Sequence, residues 1–144
     1  MGMRYHYFHI STLPRLHHIV WCRLPGGNGQ SEPGHTVRPA LVRGSKRETK
    51  TGRGALLVSY GTKHLQLNKC RHIDLIIQNA RRLHELDLPT AVRFDLGLTN
   101  WLPWATEFFS PPEHSLYIVA GPLTEIEQRR LRRCLKRRGI IQAL

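Results

Sequence analysis

The sequence has little cysteine, and its cysteines are poorly placed for cross-links. Cys22, Cys70 and Cys134 are the only three in 144 residues, and no two of them form a CxxC pair. An odd number of widely spaced cysteines predicts neither a disulfide framework nor a zinc knuckle. We therefore expect a reduced protein in the cytoplasm.

Long apolar runs and metal-binding spacings are missing as well. No stretch approaches the roughly 18 continuous apolar residues of a membrane-spanning helix, and the N-terminus has no apolar signal-peptide core. The chain has nine histidines, but none lies in an HExxH or a Cys2His2 spacing. The sequence therefore predicts no membrane partner, no metal and no cofactor.

Acidic residues are scarce relative to basic ones. The chain has 22 Lys and Arg against 10 Asp and Glu, which gives a formal net charge of +12. Hydrophobic residues make up 40% of the sequence, enough for one domain with a core. The excess of positive charge predicts an anionic partner, with nucleic acid as the first candidate and an acidic protein as the alternative.

The first half of the chain predicts three strands joined by short loops. Residues 1–18 lack a sustained period, and we interpret them as a loosely docked N-terminal extension to a single domain of residues 19–144. Runs of β-branched and other apolar residues predict strands at 19–24, 37–42 and 55–60, with a basic turn between the last two. The connections are too short for crossover helices, so we expect an antiparallel meander.

The second half mixes short strands with helices. Residues 92–96 alternate in hydrophobicity and predict a strand, and residues 116–120 predict another that is closed by Gly121. Thr124 and Glu127 form a capping-box pattern, so a helix should begin there, with Gly139 as a plausible stop. Its apolar residues fall roughly along one stripe: Ile126, Leu131, Cys134 and Leu135.

Three segments have more than one interpretation. Residues 74–78 fit a strand and residues 80–88 fit a short helix, although short apolar runs do not decide between these states. Residues 101–109 hold four large aromatic side chains, which we interpret as core and rim packing, with base stacking as the alternative. Together the elements predict a mainly β protein: a small SH3-like antiparallel barrel with an amphipathic C-terminal helix.

Four motifs in order carry a resemblance to a known family. They are an aromatic strand at 19–25, a glycine loop with Glu32, the run Arg-Pro-Ala-Leu-Val at 38–42, and a strand that ends in Tyr-Gly-Thr at 60–62. In this order they resemble the PemK/MazF toxin family. A late motif within residues 93–109 is similar to a longer subgroup of that family.

The resemblance implies a homodimeric SH3-like barrel that cleaves RNA without a metal and is silenced by a small acidic antitoxin protein. The family's catalytic arginine corresponds to Arg38, and its catalytic threonine corresponds to Thr62. The family usually has Ser-Gln after the threonine, whereas this chain has Lys63 and His64.

The chemistry suits these residue types. Metal-free RNA cleavage uses the neighbouring 2′-hydroxyl as nucleophile, so the protein must move protons and stabilise a phosphorane. The planar fork of Arg38 fits two phosphate oxygens, but an arginine is a poor base. His35 and His64 are therefore auxiliary candidates for proton transfer, and Glu32 is a candidate brace for Arg38. Ordinary interpretations also stand: a strand-edge arginine, a turn-capping Thr62, loop histidines and an exposed glutamate.

Seven basic side chains are candidates for phosphate contacts, and a solvated surface is the alternative for each. They are Lys46, Arg47, Lys50, Arg53, Lys63, Arg132 and Arg133. Two other functions also stay open on the same fold. One is nucleic-acid or partner binding without cleavage, and the other is a protein-interaction toxin directed at an enzyme, as in the related gyrase-poisoning proteins.

Overall fold

A computed structural model describes residues 4–25, 33–66 and 73–143. Within these ranges it contains seven strands and two α-helices. Their bounds are β1 (His18–Arg23), β2 (Val37–Arg47), β3 (Gly54–Thr62), β4 (Leu75–Ile77), α1 (Ala80–Glu85), β5 (Val92–Phe94), β6 (Asn100–Pro103), β7 (Val119–Pro122) and α2 (Glu125–Ala143). Glu32 and Cys70 lie outside the described residues.

All the described strand pairs are antiparallel, and they form one curled sheet that makes half of a barrel. The order across the sheet is β4-β5-β3-β2-β1-β7, and β6 pairs with β3 beside this path. Strand β3 is long enough to serve two neighbours, because residues 55–58 pair with β6 while Gly61 and Thr62 pair with β5. The predicted mainly β architecture and the β1-β2-β3 meander are confirmed.

Both faces of the sheet are covered, and strand β1 shows why. Its alternate side chains enter two different cores: Ile19 and Trp21 join the cluster under α2, whereas Val20 and Cys22 join a second cluster on the other face. All four are nearly inaccessible to solvent. Full burial of a large apolar side chain is worth roughly 1.5–3 kcal/mol. Because β1 contributes buried side chains to both clusters, it stabilises both cores.

The second core contains most of the aromatic cluster. Trp104, Phe108 and Phe109 are buried there, and the Trp104 and Phe109 rings meet edge to face at 5.0 Å. The prediction that these aromatics serve core packing is confirmed for these three side chains. Trp101 is 43% exposed, which fits the rim role.

The N-terminal segment packs against this second core. Tyr5, Phe8 and Leu13 contact it, and the backbone N–H of Phe8 donates to the carbonyl of Trp104 at 3.0 Å. The indole N–H of Trp104 donates in turn to the Thr12 hydroxyl at 3.1 Å. These bonds give residues 5–13 a defined place against the sheet.

The hairpin between β2 and β3 is tighter than predicted. Strand β2 runs on to Arg47 and β3 starts at Gly54, so the basic turn is confined to residues 48–53. Strand β3 runs two residues beyond the predicted end at residue 60, and Gly61 pairs with Phe94. A Cβ there would come within 2.6 Å of the Val92 side chain and 2.9 Å of the Pro39 carbonyl, so close packing is what requires glycine.

Two strand predictions near the C-terminus need correction. The predicted strand at 116–120 is β7 at Val119–Pro122, which includes Gly121 rather than stopping before it. Pro122 fits because β7 is an edge strand, where no amide donor is needed on the free side. Strand β6 was hidden within the aromatic cluster, and its partner is the first half of β3.

Helix α2 begins as predicted and ends later. Thr124 and Glu127 form the capping box, because each backbone N–H donates to the other residue's side-chain oxygen at 2.9 and 3.1 Å. The predicted stop at Gly139 is wrong, since the helix continues to Ala143. Glycine inside a helix costs only about 1 kcal/mol relative to alanine.

The apolar stripe of α2 also differs at its first turn. Leu131 and Cys134 are buried and Leu135 packs beside them, but Ile126 is 60% exposed. The inward position of that turn belongs instead to Glu127, which is buried in an ion pair with Arg82. Among the described residues, no helix has both the length and the apolar character needed to cross a bilayer.

Candidate functional site

A pocket of about 290 Å³ lies where the end of β3 meets the start of β2. Four of its lining residues are candidates from the sequence: Arg38, Thr62, Lys63 and His64. Its opposite wall is the segment from 88 to 92, which follows α1. The end of β3 and the start of β2 thus line one pocket, and the functional roles of these residues stay predictions.

Strand register explains why Arg38 and Thr62 share this pocket. Ala40 pairs with Tyr60 at the last paired position of β2 and β3, and Arg38 and Thr62 each lie two residues beyond that pair. Residues two apart on a strand share a face. The guanidinium of Arg38 accordingly lies over the Tyr60 ring, 5.9 Å from its centroid, and is otherwise exposed.

Tyr60 adds a phenol beside the arginine. Burial raises its pKa above the ordinary value, although the charge of Arg38 acts in the opposite direction. The hydroxyl therefore stays protonated at neutral pH. The cation–π contact holds the Arg38 side chain toward the β3 side of the pocket and adds about 0.5–1 kcal/mol.

The Thr62 hydroxyl closes a tight turn. Its Oγ1 accepts a hydrogen bond from the backbone N–H of His64 at 3.2 Å. The ordinary turn-capping interpretation is therefore met, but it uses the oxygen only as an acceptor. The Thr62 O–H donates to no acceptor among the described residues, so it can donate to a ligand of the pocket.

Arg93 fixes the other side of His64. Its Nε donates to the His64 carbonyl at 2.9 Å, and its backbone pairs with Thr62 in the β3–β5 register. The backbone of His64 is thus held at both its N–H and its C=O, while its side chain is exposed and lines the pocket. His64 therefore lines the same pocket as Thr62 and Arg38.

A buried carboxylate anchors Arg93. Asp74 is 2% exposed and accepts from Nη1 of Arg93 at 2.7 Å and from the backbone N–H of Leu96 at 3.0 Å. Arg138 of α2 also binds Asp74 and donates from Nε to the carbonyl of Ile73 at 2.7 Å. A continuous chain of charge-assisted bonds therefore links α2 to the turn that carries His64.

Sequence reasoning placed Arg93 in a strand but did not assign it to the site. The available signal was a charged residue within a short, otherwise apolar strand, which requires a buried partner. Asp74 carries the same signal immediately before β4. Identifying them as partners needs the fold, because 19 residues separate them in sequence.

His35 lies in a different pocket from Arg38. It lines a second pocket of about 480 Å³ together with Arg4, Arg23 and Glu107. The structure therefore does not bring His35 into the group formed by Arg38, Thr62 and His64. Glu32 falls outside the described residues, and its candidate role as a brace stays a prediction.

The basic residues of the β2–β3 hairpin are remote from the Arg38 pocket. Eight residues of β2 separate Arg38 from Lys46, which is about 26 Å of extended strand. The Lys46 amine lies 3.9 Å from the Trp101 ring centroid, and the Arg53 guanidinium lies 5.1 Å from that of Tyr7. Arg47 and Lys50 are exposed on the same hairpin.

Arg132 and Arg133 are exposed on α2. Arg132 lies near His17, whose pKa is lowered first by burial and then by the charges of Arg132 and Arg43. Neither of these two α2 arginines lines the pocket that holds Arg38. The structure thus separates the candidate phosphate contacts into the Arg38 pocket, the hairpin and α2.

No cluster of three or more His, Cys, Asp or Glu side chains that could hold a metal ion occurs in the described part of the chain. The chain matches no protein-family model, and no curated protein matches it in sequence. The resemblance to the PemK/MazF family therefore rests on the motifs and their order.

Proposed function

We propose that the protein is a toxin-type endoribonuclease that cleaves single-stranded RNA at the Arg38 pocket. The observation that carries this proposal is the convergence of Arg38, Thr62, Lys63 and His64 on one pocket in a chain of net charge +12. These groups supply a phosphate clamp, a hydroxyl donor, a second cation and an imidazole. The resemblance to PemK/MazF toxins supports the same assignment for Arg38 and Thr62.

The reaction is an in-line transesterification that needs no metal. The 2′-oxygen bonds to phosphorus while the bond from phosphorus to the 5′-oxygen breaks. The 2′-hydroxyl gives up a proton and the leaving 5′-oxygen gains one, so the products are a 2′,3′-cyclic phosphate and a 5′-hydroxyl. The protein therefore has to move two protons and neutralise the phosphorane charge.

Each residue has a role that fits its position. Arg38 donates two hydrogen bonds to the non-bridging oxygens, since its fork matches their spacing and its exposed end is free of ion pairs among the described residues. Thr62 donates its O–H to the same phosphate or to the 2′-oxygen. Lys63 adds a charge at the pocket rim.

His64 is the best-placed proton-transfer group in the pocket. Imidazole changes charge near neutral pH, and the two backbone bonds to His64 limit where its ring can go. His64 and Lys63 stand where the family usually has Gln and Ser. We infer that this chain uses its own imidazole for a proton-transfer step.

The remaining features of the proposal follow from the resemblance. The curled antiparallel sheet with a C-terminal helix is the expected framework for an SH3-like barrel of the PemK/MazF type. We propose a homodimer and a small acidic antitoxin whose segment blocks the pocket. The high positive charge supports an acidic inhibitor as well as an RNA substrate.

The chemistry of the product ends tests the reaction. Purified protein is incubated in EDTA with a single-stranded RNA, and the fragments are analysed for 2′,3′-cyclic phosphate and 5′-hydroxyl termini. A matched RNA with a 2′-deoxy nucleotide 5′ to each cleaved bond should not be cut at that bond. Fragments with 3′-hydroxyl and 5′-phosphate ends, or cleavage of the deoxy substrate, would refute this mechanism.

A further inference from the structure

A second cationic pocket lies next to the Arg38 pocket on the same piece of backbone. Pro33, Gly34 and His35 line the second pocket, and the next four residues, 36–39, line the first. Three residues separate His35 from Arg38, so their Cα atoms are at most about 11 Å apart. One or two nucleotides of an extended strand cover that distance.

The charges in the second pocket favour an anion. Arg4, Arg23 and His35 line it against one acid, Glu107. Glu107 already accepts hydrogen bonds from the backbone N–H and the imidazole of His6. Neither Arg4 nor Arg23 forms an ion pair within the described residues.

Arg23 is held in place before any ligand binds. Its backbone pairs with Val37, and its N–H donates to the Phe108 carbonyl at 2.7 Å. Its Nε donates to the Ser110 hydroxyl at 3.3 Å, and its two terminal nitrogens donate to no acceptor among the described residues. A half-buried arginine with a fixed stem loses little entropy when it binds a phosphate.

The backbone beside Arg23 is fixed as well. Gly34 packs so tightly on Leu24 that a Cβ would come within 2.1 Å of the Leu24 carbonyl oxygen. The close approach brings His35 up against the end of β1. Tyr5, edge to face with Phe108 at 5.0 Å, closes the pocket on the N-terminal side.

We propose that this pocket binds a backbone phosphate of RNA that flanks the phosphate held by Arg38. Arg23 makes the main contact, and Arg4 and His35 add charge around it. The identity of its ligand rests on the proposed function, because its lining at residues 33–35 continues along the backbone into the lining of the Arg38 pocket. It makes His35 a binding residue rather than a proton-transfer group.

The salt dependence of binding tests the subsite apart from catalysis. The probe is a 2′-O-methyl RNA of about 12 nucleotides, within the usual range of single-strand site sizes, which binds but has no 2′-hydroxyl to react. Arg23→Gln and Arg4→Gln should each weaken binding and reduce the slope of log K against log salt by about 0.7 per lost phosphate contact. Arg81→Ala on α1 is the matched control, because Arg81 is exposed and lines neither pocket.

A variant that makes the pocket more positive distinguishes a lost phosphate contact from misfolding, because it should bind RNA more tightly. Glu107→Gln removes the one acid among the described residues of the pocket and should tighten RNA binding, which a damaged fold would not do. Replacing single phosphates of the probe by uncharged methylphosphonates should locate one position at which the effect of Arg23→Gln disappears.

The outcomes separate the subsite from the reaction. A reduced slope in the Arg23 and Arg4 variants supports the subsite even if the wild-type protein cleaves no RNA, a result that would refute only the proposed activity. RNA cleavage by the wild type with the same salt slope in both variants would overturn the subsite alone. If the wild type neither binds nor cleaves RNA, both proposals fail.

Discussion

Arg93 donates a hydrogen bond from Nε to the backbone carbonyl of His64 at 2.9 Å while its Nη1 donates to the buried Asp74 at 2.7 Å. One guanidinium thus joins the interior of the protein to the turn that lines the Arg38 pocket. Lysine has a single point of charge and cannot make both contacts in this fork geometry. The pair therefore predicts a separation between stability and activity.

Arg93→Lys should keep the charge next to Asp74 but release the His64 carbonyl. We expect the free energy of unfolding to fall by about 1 kcal/mol, and kcat for RNA to fall at least tenfold with little change in KM. Arg93→Ala should cost about 3 kcal/mol, because it takes one partner from a buried ion pair. Denaturant unfolding and steady-state kinetics measure the two effects.

The control for Arg93 is Arg82→Lys. Arg82 makes a bidentate pair with the buried Glu127 at 2.7 and 2.8 Å, away from the Arg38 pocket. Its replacement should lower stability to a similar extent without a fall in kcat. Equal kcat losses in the two variants would mean that Arg93 acts only through general stability.

Thr62 carries two functions that substitutions can separate. Thr62→Ser keeps the hydroxyl for both the turn and the pocket, so it should retain most activity. Thr62→Val keeps the shape but removes the acceptor for the His64 N–H and the donor to substrate. We expect a loss of roughly 10²-fold in kcat/KM for valine, in line with the removal of one transition-state donor. If the activity of the valine variant is within twofold of that of the serine variant, the Thr62 hydroxyl does not contribute to the reaction.

His64→Gln tests the proton-transfer assignment. If the imidazole moves a proton, the rate should fall by about 10²–10⁴-fold, and the pH dependence of the rate should change. His84→Gln on α1 is the control, because His84 is exposed and does not line the Arg38 pocket. A full-rate His64→Gln enzyme with an unchanged profile would show that another group transfers the proton.

Glu127 predicts how stability depends on pH. Burial alone would raise its pKa, but hydrogen bonds from Arg82 and from the backbone N–H of Thr124 outweigh burial and hold the pKa below its ordinary value. The unfolded chain therefore binds a proton more readily than the folded protein does. The stabilisation is present above the unfolded pKa of about 4.3 and is lost as the pH falls through the lower folded value.

The measurement is the free energy of unfolding between about pH 3 and pH 6, a range that spans the ordinary glutamate pKa. Glu127→Gln should flatten the rise in stability with pH that the wild type shows across this range. Glu125→Gln is the matched control, since its carboxylate is 81% exposed and pairs with Arg129 only across one turn of α2. A slope that survives Glu127→Gln would assign the pH dependence to other carboxylates.

The sequence predicted the parts of the fold that depend on local pattern. The three strands of the meander and the Thr124–Glu127 capping box were evident because alternation, glycine punctuation and a four-residue spacing are local signals. Strand β6 was not predicted because its pairing with β3 is non-local and its four residues, Asn100–Pro103, show no clear alternation. In the first turn of α2, Glu127 faces inward in place of Ile126, because Glu127 forms a buried ion pair with Arg82 there.

The residues of the candidate site also differ in whether the sequence could predict their positions. Arg38 and Thr62 could be placed together because both end adjacent strands, and the register then fixes their relationship. Arg93 and Asp74 could not, since a buried ion pair between separate elements leaves only isolated charges in the sequence. His35 was assigned by its closeness in sequence to Arg38, but three extended residues carry it into the neighbouring pocket.

The role of Arg38 is the central claim, and one rate comparison tests it most directly. Wild type, Arg38→Ala, Arg38→Lys and the exposed control Arg81→Ala are each incubated with the same long RNA in EDTA. We predict that Arg81→Ala cleaves at the wild-type rate and that Arg38→Ala loses about 10²–10³-fold, with little rescue by lysine because bidentate contact is lost. Cleavage by Arg38→Ala at the wild-type rate, or no cleavage by the wild type above the alanine variant, would contradict the account.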